Sequence, residues 1–407
     1  MSSYLNNFKA IKITENVYWV GVIDWELSNF HGYQTTHGST YNAYLILGEK
    51  PILIDTVKKP FFEEMWARIA SVIDPLKIKY IVSNHSEMDH SGSLPEMIER
   101  IKPEKVIASV TGVQTLKEHF HFDYEITEVK TGDSLTLGNT TLTFIETKML
   151  HWPESMFTYF PKEKILFSQD GFGMHLADNL LFAEQYDPCL IEYEAKKYFA
   201  NILLPYSPLV TKLLNYLQTL NLEIDTIATA HGPIWRGKNN VAKAISNWTK
   251  WALQAYAPTA IILYESMWGS TALMAKTIAE GLTQNGIKTK LTPATKVHRS
   301  DVITELMDAG ALLVGSSTLN QQVLPEIADI LCYLKGLKPQ NLVGQVFGSY
   351  GWGAESIKIL EKDLQEMKVE PVSESIKVKY VPTGEDLEKC RNLGIEVAKA
   401  LQKHLAK

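Results

Sequence analysis

Up to about residue 230, short apolar runs alternate with stretches in which apolar positions recur three and four residues apart. The runs at 17–23, 43–47, 52–54, 80–82, 142–145, 165–167 and 226–229 are rich in β-branched and aromatic side chains and predict strands. The periodic stretches at 60–73, 93–101, 189–203 and 208–220 predict helices with one apolar face. A last helix and a short linker over 248–258 end in Pro258, after which the period changes. We therefore expect a boundary near Ala257, with domains of 1–256 and 257–407.

Beyond it the alternation is regular. Near-continuous apolar strands at 259–264, 288–292, 311–315, 343–348 and 377–381 are separated by helices at 271–284, 324–334 and 354–367, and a helix at 385–404 closes the chain. Apolar strands joined by helices are buried on both faces, which means a parallel doubly wound sheet. Five strands suit the flavodoxin-like order, with ligands beyond the strand C-termini. The fold class is α/β throughout.

Composition adds exclusions. The 407 residues, 45% hydrophobic and 21% charged, fit two or three globular domains. A net charge of -6 from 40 basic and 46 acidic side chains leaves no footprint for nucleic acid. The polar start, 1–10, has neither a basic segment nor an apolar stretch, and no run of about 18 apolar residues occurs, so a cytoplasmic protein without membrane segments is expected. Cys189, Cys332 and Cys390 form no C-x-x-C pair, which excludes a disulfide framework, an iron–sulfur cluster and a fused rubredoxin-type iron site; each is expected to be a buried thiol.

Several predicted strands end on a potential ligand. The strand at 80–82 runs into His85, that at 165–167 into Asp170 and that at 226–229 into His231. The segment from Asn84 to Gly92 holds His85, Glu87, Asp89 and His90 within six positions, and His151 is a further candidate. Taken singly, each is more often a helix cap, a loop polar group or a core histidine; four ligands within six positions are not. Seven ligands suffice for two metal ions. Glu87 stands where a zinc hydrolase of this layout carries histidine, so the donors are harder and more anionic, which favours iron. We expect His85, Glu87 and His151 on one iron, Asp89, His90 and His231 on the other, and Asp170 bridging ions about 3.5 to 4 Å apart. Three carboxylates leave about +1 on two ferrous ions and about +3 on two ferric ions, so the oxidised diiron centre is expected to take an oxo or hydroxo bridge.

In the second half, Ser266, Met267, Trp268, Gly269, Ser270 and Thr271 lead from a strand into a helix, surrounding its N-terminus with hydroxyls and free amides suited to a phosphate. No lysine follows the glycine, and the single Gly269 does not make a dinucleotide fingerprint, so a lone phosphate such as that of FMN fits best. Two further strand-end loops, Ser317-Thr318-Leu319-Asn320 and Ser349-Tyr350-Gly351-Trp352-Gly353, lie where a ring system would sit, with Trp268, Tyr350 and Trp352 able to sandwich it. The three loops resemble the FMN site of flavodoxin.

A half bearing His-x-Glu-x-Asp-His followed by a flavodoxin-like half resembles the flavodiiron proteins over nearly the whole chain, and the seven ligands match that family's pattern without a gap. The resemblance implies a metallo-β-lactamase-like αββα sandwich followed by the flavodoxin-like sheet. It also implies reduction of dioxygen to water or of nitric oxide to nitrous oxide, with electrons passing from a redox partner through FMN to the irons. It further implies a separate rubredoxin or other small redox protein as donor, and a head-to-tail homodimer or dimer of dimers. His31 and Tyr198 resemble positions near the open face of the irons and are taken as catalytic candidates. His37, His119, His121, His175, His298 and His404 have no partner pattern and are read as surface or structural residues. The rivals are a dinuclear zinc hydrolase with a regulatory flavodoxin domain, against which Glu87 argues, and a redox sensor or electron carrier without turnover.

Overall fold

Two mixed sheets form the framework of the first half. One runs, in spatial order, Ile11–Lys12, Val17–Trp19, Tyr44–Ile46, Ile52–Ile54, Tyr80–Ser83, Lys105–Ser109 and Ile126–Val129; the other runs Ser134–Leu137, Thr140–Glu146, Met156–Phe160, Ile165–Gln169, Thr226–Thr229 and Trp235–Arg236. The computed structural model describes residues 7–121 and 123–406, so the first six residues of the polar start lie outside the described residues. The chain divides into two compact units, one of 1–198 and 208–249 and the other of 199–207 and 250–407. No helix among the described residues is long and apolar enough to cross a membrane.

Alternation along the strands builds two layers of core in the first unit. Tyr44, Ile46, Ile52, Ile54, Val82 and Ile107 of one sheet meet Leu142, Phe144, Met156, Phe160, Ile165 and Phe167 of the other. The opposite face of the first sheet, with Leu45, Leu53, Ile81, Val106 and Ala108, packs on Met65 and Ile69 of the helix Phe62–Ala70, Met97 and Ile98 of Leu94–Ile101, and Val113 and Leu116 of Val110–Phe120. Beside the second sheet, Phe172 packs between Phe157 and Trp248 of the helix Lys238–Leu253, stacking on the indole at 4.1 Å. This is the expected αββα sandwich.

Within it the strands that lead to ligands are parallel to a neighbour. Tyr80–Ser83 lies between Ile52–Ile54 and Lys105–Ser109, and Ile165–Gln169 pairs with Thr226–Thr229. Parallel pairing puts equivalent strand ends on one edge, which is how segments distant in sequence deliver side chains to one place.

The second unit is a parallel sheet in the order Lys288–Pro293, Thr259–Glu265, Ala311–Ser316, Val343–Tyr350, with Glu370–Pro371 and Ile376–Lys379 both pairing the last of these. This is the flavodoxin-like order. The helices Ser270–Gln284 and Gly384–Leu405 bury Met274, Ile278, Leu282, Leu393, Val397 and Leu401 in one core with the sheet.

Two expectations are corrected. Cys189 and Cys332 are exposed, and only Cys390 is buried. In the helix Pro325–Leu337 the buried face is Ile327, Ile330, Leu331, Leu334 and Leu337, a three-four spacing that leaves position 332 on the outer side. The helix expected over 189–203 ends as an α-helix at Tyr198 and continues as a π-turn, Phe199–Leu203.

Candidate functional site

The segment after Tyr80–Ser83 is fixed before its ligands begin. Asn84 donates its amide to Asp55 Oδ1 at 2.6 Å and its side-chain amide to Asp55 Oδ2 at 2.9 Å, and accepts from the Thr158 hydroxyl at 2.6 Å. His85 then leaves the sheet edge, and a short helix, Met88–Ser91, turns Asp89 and His90 to the same side. Asp170 follows Ile165–Gln169 in a tight turn whose flanking residues, Gln169 and Phe172, adopt left-handed backbone at φ +42° and +64°. Gln169 donates to the Leu150 carbonyl at 2.7 Å and accepts the Asp170 amide at 2.5 Å, tying that turn to the loop that carries His151. His231 is followed by Gly232 at φ +70°, where a Cβ would lie 2.4 Å from the Met174 carbonyl oxygen, so only glycine permits this turn.

All seven expected ligands converge as two groups: His85, Glu87, His151 and Asp170, and Asp89, His90 and His231. Asp170 faces both. Its Oδ2 lies 3.2 Å from His85 Nε2 and 3.1 Å from His151 Nε2; its Oδ1 lies 3.2 Å from His90 Nε2 and 3.3 Å from His231 Nε2. Glu87 Oε2 stands 3.3 and 3.2 Å from the nitrogens of His85 and His151, and the Asp89 oxygens 3.4 and 3.2 Å from those of His90 and His231. Metal–donor bonds of about 2.1 Å put neighbouring donors about 3.0 to 3.4 Å apart. His85 Nε2, His90 Nε2, both Asp89 oxygens and Asp170 Oδ1 are buried with no hydrogen-bond partner. Orphaned buried donors and acceptors facing one another are costly unless a cation joins them, so the residues fit a pair of metal ions.

The electrostatics carry the same imprint. Burial pushes the imidazoles down, but the Asp170 carboxylate, with Glu87 beside His151 and Asp89 beside His231, lifts His151 to about 9 and His231 to about 10. Against the effect of burial, the histidines hold Glu87 and Asp170 well below the ordinary carboxylate range, and Asp89 below it. Three carboxylates in a dry pocket thus select for positive charge.

His31 reaches the rim, its Nε2 3.2 Å from Glu87 Oε1 with the side chain 70% exposed. Tyr198 is buried 6.1 Å, ring to ring, from His231; burial first, then the Asp170, Asp89 and Glu87 charges, raise its phenol well above the usual value, so it keeps its proton. His175 carried no pattern in sequence, yet it lies buried 4.9 Å from the ring of His231 and 5.0 Å from that of Tyr198, held by Ser39 Oγ at 2.8 Å. Glu154 is the other residue the motif did not mark: its Oε1 lies 2.8 Å from His85 Nδ1. Neither carries a sequence cue of its own. Of the remaining histidines, His37 pairs with Glu194, His119 bonds the Ser86 carbonyl, His121 ends a helix in left-handed backbone, His298 caps a helix and His404 pairs with Glu370.

In the second unit a cleft of about 810 Å³ opens beyond the strand C-termini. Met267, Trp268, Ser270, Ser317, Thr318, Asn320 and the segment Ser349, Tyr350, Gly351, Trp352, Gly353 line it, together with Gln321, Tyr380 and Val381, which sequence did not suggest. Ser266, Gly269, Thr271 and Leu319 are not on its wall. Ser266 Oγ accepts the Gly269 amide at 3.1 Å, and Gly269, at φ +88°, sits at the N-cap of Ser270–Gln284. Thr271 is buried with its hydroxyl 3.1 and 2.9 Å from those of Ser317 and Ser349, knotting the three loops together. Leu319 pairs with Gln322 in a tight bridge.

Residues 40–232 match the family model described as ODP family beta lactamase, and residues 262–394 match that described as Flavodoxin. The chain is 45% identical over 394 residues, 96% of its length and 98% of the other, to a nitric oxide reductase of Moorella thermoacetica. Among solved structures it superposes on the rubredoxin oxygen:oxidoreductase of Desulfovibrio gigas with a TM-score of 0.96 at 41% identity, covering 98% of this chain and 100% of that one. The flavodiiron protein of Giardia intestinalis superposes with a TM-score of 0.93 at 34% identity, covering 98% of each.

Proposed function

We infer the activity from one premise: this chain belongs to the flavodiiron proteins. It is an oxidoreductase that reduces dioxygen to water, nitric oxide to nitrous oxide, or both. The observation that carries the reading is the double set of ligands closed by Asp170, whose two oxygens each face two imidazoles. His85, Glu87 and His151 would hold one iron, Asp89, His90 and His231 the other, and Asp170 would join them. Ser270 and the amides at the start of Ser270–Gln284 would hold the FMN phosphate, on a loop that Ser266 and Thr271 shape from behind, and Trp268, Tyr350 and Trp352 would hold its ring system. When bound, the two ferrous ions supply two electrons and reduced FMN two more, which matches the four of dioxygen reduction, while coupling two nitric oxides needs two.

The remaining work belongs to side chains. Both reactions consume protons, and Tyr198, which keeps its proton beside Asp170, is placed to offer its hydroxyl as a hydrogen-bond donor on the metal side. His31 hydrogen-bonds the Glu87 oxygen turned away from the other ligands and so steadies that carboxylate at the solvent side. We assign the metal chemistry to 1–256 and the flavin chemistry to 257–407. The donor we expect is a separate rubredoxin or other small redox protein. The chains are taken to pair head-to-tail as a homodimer or dimer of dimers, the FMN of one near the irons of the next. The zinc hydrolase reading is not favoured, since Glu87 occupies a histidine position.

Elemental assay, Mössbauer spectroscopy and flavin extraction of protein grown with ample iron test the composition, and anaerobic stopped-flow of the reduced protein against each gas tests the reaction. We expect two coupled irons and one FMN per chain, both reoxidised by at least one gas. Zinc without iron, or esterase activity that survives flavin removal, would overturn the reading.

A further inference from the structure

The two metal positions have matching donor sets. Each has two imidazoles and one carboxylate of its own, His85, His151 and Glu87 on one side and His90, His231 and Asp89 on the other, and each has one oxygen of Asp170. Any electronic difference between them must therefore come from what stands behind the ligands.

There the two sides differ. His85 Nδ1 lies 2.8 Å from Glu154 Oε1, an oxygen that also accepts the Ser86 amide at 3.0 Å. Glu154 is 2% exposed and its Oε2 is buried without a hydrogen-bond partner; against the effect of burial, His85 and the Ser86 amide on Oε1 hold the carboxyl below its ordinary range, so it stands there as an anion. Its main-chain carbonyl accepts the Ser109 hydroxyl at 2.7 Å, and that same hydroxyl oxygen caps the helix Val110–Phe120, so the carboxylate is set by the scaffold. His231 Nδ1 instead meets a main-chain carbonyl, that of Thr40, at 2.7 Å, which is a neutral acceptor. His31 also stands behind the first set, against Glu87, but it is 70% exposed, where solvent screens its effect.

Resting on the diiron reading, we propose that Glu154 is a positioning residue that makes the two iron positions unequal. By accepting the His85 Nδ1–H as an anion it fixes the tautomer with the lone pair on Nε2 and makes that imidazole a stronger donor than His231, which only a carbonyl backs. A stronger donor stabilises a ferric ion, so an iron held by His85, Glu87 and His151 would have a lower reduction potential than one held by Asp89, His90 and His231. Because Glu154 lies three residues beyond His151, one loop supplies both a ligand of that iron and the anion behind another.

The test is a redox titration of the iron-loaded protein followed by Mössbauer and EPR spectroscopy. Wild type should reduce in two separated one-electron steps. Glu154→Gln, whose amide oxygen can still accept from His85 and Ser86 without the charge, should keep two irons while the lower step moves up and the gap narrows. Glu154→Asp should follow wild type, and Glu154→Ala should weaken one of the two irons about 10- to 100-fold. Two irons and wild-type potentials in Glu154→Gln, or equal shifts in the Gln and Asp variants, would leave Glu154 as loop scaffolding and overturn the proposal. A wild-type protein with no iron pair would sink the diiron reading itself, a different result.

Discussion

Each ligand in the first unit is a compromise between burial and charge, and removal of the metal would expose its terms. With no cation present, His151 and His231 titrate near 9 and 10 against an ordinary 6.5, because Asp170 and its neighbours outweigh desolvation. Groups raised in the folded state stabilise it fully below about 6.5 and cease to as pH passes 9 and then 10. Glu87, Asp89 and Asp170, held low, stabilise it above their ordinary 4.5 and 3.8 and lose this on acidification. Iron-free protein should thus be most heat-stable between about pH 4.5 and 6.5 and lose stability toward pH 10, measured by thermal melts across buffers. Ferrous binding should run the other way, strengthening as pH rises from 6 to 10, since each imidazole must shed a proton to bind. Calorimetry in two buffers of different ionisation enthalpy would count those protons, and pH-independent binding would refute the coupling. The ligands themselves were legible in sequence because the motif crowds four of them between residues 85 and 90 and Asp170 and His231 follow strand ends, with His151 a further candidate. Glu154 and His175 were not, since a lone Glu or His in a loop has no pattern until the fold brings it against His85 or His231.

Among elements, the strands that lead to His85, Asp170 and His231 each have a parallel neighbour, and those delivering the cleft are loops at strand ends, with a helix N-terminus at the first. Ser266, Gly269 and Thr271 shape that N-terminus although they do not line the cleft, since Thr271 ties the first loop to Ser317 and Ser349. Ser266→Ala combined with Thr271→Ala removes these bonds, and at about 1 kcal/mol for each should weaken FMN roughly 10- to 100-fold while iron content stays at the wild-type level. Flavin titration of the FMN-free protein reads the change, and wild-type flavin affinity would contradict this view of the loop. Sequence periodicity located the second-half strands to within a residue or two because strands buried on both faces are continuous apolar runs. It missed Lys105–Ser109, Ile126–Val129, Ser134–Leu137 and Met156–Phe160 in the first half. Lys105–Ser109 passes into a helix with no turn residue between, and Ser134–Leu137 is short and half polar. The run at 17–23 breaks at Val20-Gly21, where a Cβ on Gly21 would lie 2.4 Å from the Tyr41 carbonyl oxygen, a close approach that an apolar pattern does not register. Arg299–Leu306 escaped because eight largely polar residues offer little amphipathic signal.

Considered as a whole molecule, the chain gathers a metal centre in one unit and a flavin-sized cleft in the other, and catalysis requires electrons entering at the cleft to reach the metals. The cleft has an unusual border. Trp268 and Trp352 are 93% and 94% exposed, with Met267, Tyr380 and Val381 also open. Those side chains are the ones offered to the flavin ring, and the head-to-tail pairing proposed above would close the cleft over it from outside. A second copy of the chain, related by a two-fold axis, would cover both clefts at once and place two flavins near two metal centres. On that arrangement turnover depends on assembly while flavin reduction does not, because the donor needs only one chain. Diluting the protein through its dimer dissociation constant should therefore leave donor-driven flavin reduction intact per chain, whereas gas consumption falls in proportion to the dimer fraction measured by mass photometry. A monomer that reduces its flavin and consumes gas at the full rate would show that electrons cross within one chain, and the paired arrangement would have to be abandoned.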